Sequence, residues 1–167
     1  PKSAAKKPSR RKPCRLAIEH LGPITHADIE FGDLTVIVGQ QATGKSVFLQ
    51  TLKLVIDRDQ IHDMFKHHSM SFNDRPDAFL EGYFGQGMAG AWGKRSAMSW
   101  CGKNIDLVQH AKPTKSRSHH QRLFYIPAQR VMSLPGGVSQ NFGQFNYGDP
   151  FALRAFSDAV HDLIQNE

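Results

Sequence analysis

Apolar and polar positions alternate along "RLAIEHL" at residues 15–21 and again along "ADIEF" at 27–31, with Gly22 and Pro23 breaking the pattern between them. A period of two marks a half-buried strand, so these stretches predict an antiparallel pair. Gly32-Asp33 is a turn signal, and the run after it, "LTVIVG", changes character. It is continuously apolar and rich in β-branched residues, which predicts a strand buried on both faces. Residues 45–57 place Phe48, Leu52, Val55 and Ile56 on one helical face, and "DRDQIHDMFKHH" follows as a more polar helix.

Further along, Pro76 and the glycines Gly82, Gly85, Gly87, Gly90 and Gly93 interrupt residues 71–93, and no element is assigned there. "SAMSWCGKNIDLVQH" predicts a hairpin around Gly102-Lys103-Asn104. "AKPTKSRSHHQR" reads as a basic polar loop, "LFYIP" as a second buried strand stopped by Pro127, and "SLPGGVSQNFGQFNYG" as turns. The last element predicts a helix capped by Asp149, with Pro150 in its first turn and Leu153, Phe156, Val160, Leu163 and Ile164 as its apolar face.

Composition narrows the class. The 167 residues suffice for one domain, and 40% hydrophobic with 22% charged content fits a soluble globular protein. No apolar run approaches the roughly 18 residues of a membrane span, and the N-terminus lacks an apolar signal core. The expectation is therefore a cytoplasmic protein without membrane contact. Cys14 and Cys101 make neither a C-x-x-C pair nor a disulfide framework, and read as reduced thiols. The net charge of +6 is concentrated at the start, where Lys2, Lys6, Lys7, Arg10, Arg11 and Lys12 sit among Pro, Ser and Ala. Residues 1–14 thus read as a basic disordered tail and 15–167 as one domain. The tail, and the loop 112–122 with Lys112, Lys115, Arg117 and Arg122, have the charge to contact nucleic-acid phosphates, though a solvated tail and loop account for the same residues.

The chemistry lies in "VIVGQQATGKSVFLQ". Gly39, then Gln40, Gln41, Ala42 and Thr43, then Gly44, Lys45 and Ser46, followed by Val47, has the spacing of a phosphate-binding P-loop. Chance would produce that pattern in a chain this long on the order of one percent of the time, and here it stands between a predicted strand and an amphipathic helix. Glycines let backbone N–H groups approach phosphate oxygens without a Cβ in the way, and the helix N-terminus adds partial positive charge. Lys45 would reach the β- and γ-phosphates and the Ser46 hydroxyl would ligate Mg²⁺.

With its cadence of two alternating strands before the P-loop strand, "GPITHADIEFGDLTVIVGQQATGKSVFLQTL" resembles the N-terminal segment of ABC-type ATPases of the SMC, RecF and OLD-nuclease group. Their loop ends "G-P-N-G-S-G-K-S"; this chain departs from it at Gln40, Gln41, Ala42 and Thr43 and keeps Gly39, Gly44, Lys45 and Ser46. The resemblance is firm over residues 15–57 and looser beyond, where "LFYIPAQR" is similar to a strand-Pro-Arg segment of some AAA-type members. It implies an α/β P-loop lobe, antiparallel strands followed by a core sheet with flanking helices, forming half of an ATPase head. It also implies ATP and Mg²⁺ as cofactors, and closure of two heads face to face around ATP. A Q-loop glutamine would help hold Mg²⁺ or the attacking water, and Gln129 is the candidate. Adenine recognition falls to the stretch His20 to His26.

Hydrolysis in that family needs Walker B, an apolar strand ending Asp-Glu, and it is not found. "LVIDRD" lies on the P-loop helix, which makes Asp57 a surface residue; "NIDLVQ" has Asp106 before the apolar residues instead of after them. "SLPGGVSQ" imitates a signature motif but reads as a turn. The expectation is an N-terminal lobe separated from its Walker B half, an ATPase only when complete, in DNA maintenance or defence. The alternatives are a non-catalytic, nucleotide-responsive module for nucleic acid or protein, and less readily a small P-loop phosphotransferase. An Asn-Lys-x-Asp guanine reader is absent, which disfavours GTP. Gly85-x-Gly87-x-x-Gly90 reads as a Gly-rich loop, and His67-His68 and His119-His120 as surface histidines without metal-ligand spacing.

Overall fold

Alternation at the start of the chain becomes an antiparallel ladder. β1 (Arg15–Leu21) pairs with β2 (Ile24–Glu30) in a register from Arg15↔Glu30 to Leu21↔Ile24. The strand resumes at Ile24, three residues before the alternation at 27–31 suggests, because Gly22 at φ 52 turns the chain at once. The protein is described by a computed structural model covering residues 14–72, 75–113, 120–128 and 139–165. β3 (Ala97–Trp100) adds to the other edge of β1, with Leu16 opposite Trp100, and β4 (Lys103–Asn104) follows through the expected hairpin. The sheet order is β2-β1-β3-β4, all antiparallel.

One face of this sheet carries Leu16, Ile18, Leu21, Ile24 and Met98, all buried. Helices complete the core. α1 (Lys45–Ile56) contributes Phe48, Leu52 and Leu54, and α2 (Arg58–His67) contributes Ile61 and Phe65. α3 (Pro76–Phe84) occupies the stretch that periodicity leaves unassigned. Pro76 opens it and Gly85, at φ 109, ends it, so the residues that seem to interrupt this region delimit a helix instead. Phe79, Leu80, Tyr83 and Phe84 of α3 are buried. Phe65, Phe72, Phe79, Phe142 and Phe151 form one aromatic cluster with centroids 4.9–6.0 Å apart. "DLVQH" continues the hairpin as a short helix, α4 (Leu107–His110), whose Asp106 side chain accepts from Val108 N.

α5 (Phe151–Gln165) forms where the capping signals place it, but it buries a different face. Phe151, Ala152, Arg154 and Ser157 are buried, whereas Leu163 and Ile164 are 72% and 60% exposed. Arg154 explains the rotation. Its guanidinium donates to the carbonyls of Asp149, Asn146 and Tyr147, which tie the preceding loop to the helix.

Three further expectations are corrected. "LTVIVG" and "LFYIP" are extended but enter no ladder among the described residues, so the core sheet expected after the antiparallel strands is not formed by them. Ile37 and Leu123 pack against the core, while Leu34, Val36, Val38, Phe124 and Ile126 point to solvent. Continuous apolarity signals two covered faces; here one face is covered. Asp57 is buried, not at the surface, because Lys53 shares its stripe of α1 and pairs with it at 3.1 Å. Cys14 and Cys101 are joined as a disulfide instead of standing as separate thiols: the β1–β3 ladder brings the start of one strand beside the end of the other, with Cα atoms 4.8 Å apart. Among the described residues, no helix is long and apolar enough to cross a membrane.

Candidate functional site: the loop before α1

The loop from Gly39 to Gly44 leads directly into α1, as the spacing requires. Gly39, Gln40, Gln41, Ala42 and Thr43 are exposed, and Ala42 takes a positive φ of 62. Thr43 Oγ1 donates to the Gln40 carbonyl at 2.9 Å, closing the loop on itself. Gly44 is the residue that admits no substitute on local grounds. Its φ is 89, and a Cβ there would stand 2.6 Å from Cγ1 of Ile24. The β1–β2 turn is therefore the wall behind the loop. Gly39 differs, since a Cβ there would meet only ordinary contacts, Thr43 Oγ1 at 3.5 Å and Lys45 Nζ at 3.9 Å.

Lys45 folds back over the loop. Its ammonium donates to the Gly39 carbonyl at 2.8 Å and to the Gln40 carbonyl, and reaches Thr43 Oγ1 at 3.4 Å. Phosphate oxygens could take the place of these acceptors. The first N–H groups of an α-helix lack intrahelical partners. Here the N-cap is Gly44 with no side-chain cap, and α1 has no acidic residue in its first turn. Lys45, Ser46 and Val47 thus present their amides at the loop without a competing carboxylate. Ser46 is exposed at this end of the helix.

A polar stripe runs down α1 from the site. Ser46, Gln50, Lys53 and Asp57 recur at helical spacing and meet the segment 121–125. Asp57 accepts from the amides of Arg122 and Leu123 at 2.9 Å each, and Lys53 Nζ donates to the Leu123 carbonyl at 2.8 Å. Burial lowers the Lys53 pKa, while Asp57 opposes that shift. Asp57 is eleven residues beyond Ser46, about 16 Å along the axis, and both its oxygens are engaged. It is a clamp, not a metal-site carboxylate. At the upper end, the Tyr125 side chain hydrogen-bonds with Gln50 and Ser46. Periodicity gave no sign of this contact; the signal available was one phenol inside an apolar extended run.

On the far side of the β1–β2 turn, His20, Ile24, Thr25, Gly90, Lys94 and Arg95 line an open cleft. The cleft shares Ile24 with the wall behind Gly44. His20 thus lies near the loop, whereas His26 lies out along β2, 3.9 Å from Glu19. The Gly85–Gly90 stretch is the exit of α3, with Gln86 N bonded to the Gly148 carbonyl, and not a strand-to-helix turn. His68 stacks on Phe142 at 4.5 Å. Gln129 lies outside the described residues, as do the basic tail 1–13, residues 114–119 of the basic loop, which include His119, and 133–138 of "SLPGGVSQ". Among the described residues, no three His, Cys, Asp or Glu side chains gather as a metal site. Comparison with protein-family models, curated proteins and solved structures finds no match for the chain.

Proposed function

We propose that the chain binds Mg-ATP at Gly39–Val47, as the P-loop lobe of an ABC-type ATPase of the SMC, RecF and OLD-like group. The observation that carries this reading is the Lys45 ammonium held by the loop carbonyls in front of an uncapped, acid-free helix N-terminus. Such an arrangement offers backbone donors and a cation to an anion and nothing that repels one. Gly44–Ser46 would cradle the β- and γ-phosphates, and Ser46 would ligate Mg²⁺.

Hydrolysis would require a carboxylate and a water-positioning group from polypeptide outside these residues. Support comes from the outer sides of 34–38 and 123–127, where Leu34, Val36, Val38, Phe124 and Ile126 are 56–85% exposed. Alternating apolar residues of this kind suit strands awaiting neighbours. Face-to-face head closure, and contact of the basic tail with nucleic acid, belong to the same proposal.

Thermal melting tests it. Mg-ATP should raise the midpoint of the wild-type chain, Mg-GTP should raise it less, and Lys45→Ala should abolish the ATP effect. An equal rise in Lys45→Ala would remove the P-loop from the account.

A further inference from the structure

We infer that Tyr125 is a positioning residue for the metal ligand Ser46, and that it sets the affinity of the site for Mg²⁺ more than its affinity for the nucleotide. The inference rests on the P-loop reading above and deepens it.

Tyr125 is held by the chain on both sides of it in space. The Asp57 clamp fixes Arg122 and Leu123 against the C-terminal end of α1. From there the extended segment runs back toward the helix N-terminus, and the phenol arrives at Gln50 and Ser46. Tyr125 is half-buried, unlike Phe124 and Ile126 beside it, which are 59% and 56% exposed. Its neighbours point out and it points in, toward the residue proposed to hold the metal.

The proton count gives that contact a direction. A serine hydroxyl has one proton and two lone pairs. To ligate Mg²⁺ through oxygen, Ser46 must send its proton away from the metal. Tyr125 Oη can accept it and donate its own proton to Gln50 Oε1. That oxygen is buried and makes no hydrogen bond of good geometry. It stands ready as the terminal acceptor, at the price of a small side-chain adjustment. Burial raises the Tyr125 pKa, which keeps the phenol protonated and able to donate. Each donor in the order Ser46, Tyr125, Gln50 then has one acceptor, and a Ser46 lone pair is left facing the phosphates. The Gln50 carbonyl is separately engaged by Tyr83 Oη at 2.8 Å, so the backbone under this relay is anchored.

The test compares wild type, Tyr125→Phe and Gln50→Met by ATP titration with and without Mg²⁺, and by electron paramagnetic resonance with Mn²⁺ as the metal probe. One lost hydrogen bond should weaken metal binding to the nucleotide complex about three- to tenfold. ATP affinity in EDTA should change less than about twofold. Gln50→Met, which keeps the phenol but removes its acceptor, should move the metal affinity in the same direction. It also serves if Tyr125→Phe folds poorly. A metal affinity unchanged from wild type in both variants overturns the inference, as does an equal loss with and without metal, which would make Tyr125 purely structural. Failure of wild type itself to bind ATP overturns the P-loop reading and this inference with it, and is distinguished by appearing before any substitution.

Discussion

Asp57 shows how a single position escapes a sequence reading. Its distance from Lys45 along a helix places it away from the phosphates, and that much holds: it lies about 16 Å from Ser46 along α1. Its burial follows from a pairing that periodicity of apolar residues does not register, Lys53 at i,i−4 and two backbone amides at 2.9 Å. Breaking a buried pair strands the other charge, so Asp57→Ala should lower stability by about 3–5 kcal/mol. Urea unfolding measures it, and a loss below about 1 kcal/mol would mean that the clamp is not formed. The glycines separate in the same manner. Gly44→Ala combines a φ of 89 with a 2.6 Å approach to Ile24, whereas Gly39→Ala meets neither. Gly44→Ala should depress the thermal midpoint clearly, and Gly39→Ala should leave it nearly unchanged. The motif names both glycines alike; the backbone and the β1–β2 turn tell them apart.

Strands with clean alternation and helices with caps were readable, and elements defined by partners were not. β1 and β2 carry their own period, and α5 carries Asp149 and Pro150 before it. "LTVIVG" and "LFYIP" depend on neighbours that the described residues do not provide, so their composition promises more burial than they have. Val36→Lys should therefore change the stability of this chain by no more than about 0.5 kcal/mol; a large loss in urea unfolding would place Val36 in a packed sheet. α3 was obscured because its Pro and Gly stand at its ends and because Gly82 faces Phe72, where a Cβ would come within 2.7 Å. The contact between α2 and α4 carries a pH dependence. His62 lies on Phe79 at 4.9 Å with Nε2 2.9 Å from the His110 carbonyl, and Arg58 donates to the carbonyls of Gln109, His110 and Lys112. Burial, reinforced by Arg58, lowers the pKa of both His62 and His110 below 6.5. The unfolded chain then binds protons that the folded chain refuses, so stability present above pH 6.5 declines as the pH falls toward the folded values. His62→Gln should flatten that decline in urea unfolding measured between neutral and mildly acidic pH.

At the scale of the molecule, a small antiparallel sheet and five helices among the described residues build one aromatic-rich core, and the loop before α1 sits where the sheet turn meets the helix. The sequence made the loop legible because phosphate binding depends on few residues at fixed spacing. It left the surroundings unread because the Ser46–Tyr125 contact, the Asp57 clamp and the Ile24 wall join residues far apart in the chain. The cradle and the apolar outer faces of 34–38 and 123–127 together support a nucleotide-binding lobe whose chemistry depends on further polypeptide. The most direct test is isothermal titration of the wild-type chain and Lys45→Ala with Mg-ATP. The account predicts one ATP per chain for wild type and, since charge-assisted hydrogen bonds are lost, affinity weaker by on the order of tenfold or more in a folded Lys45→Ala. No binding by wild type, or the same affinity in both proteins, would contradict it.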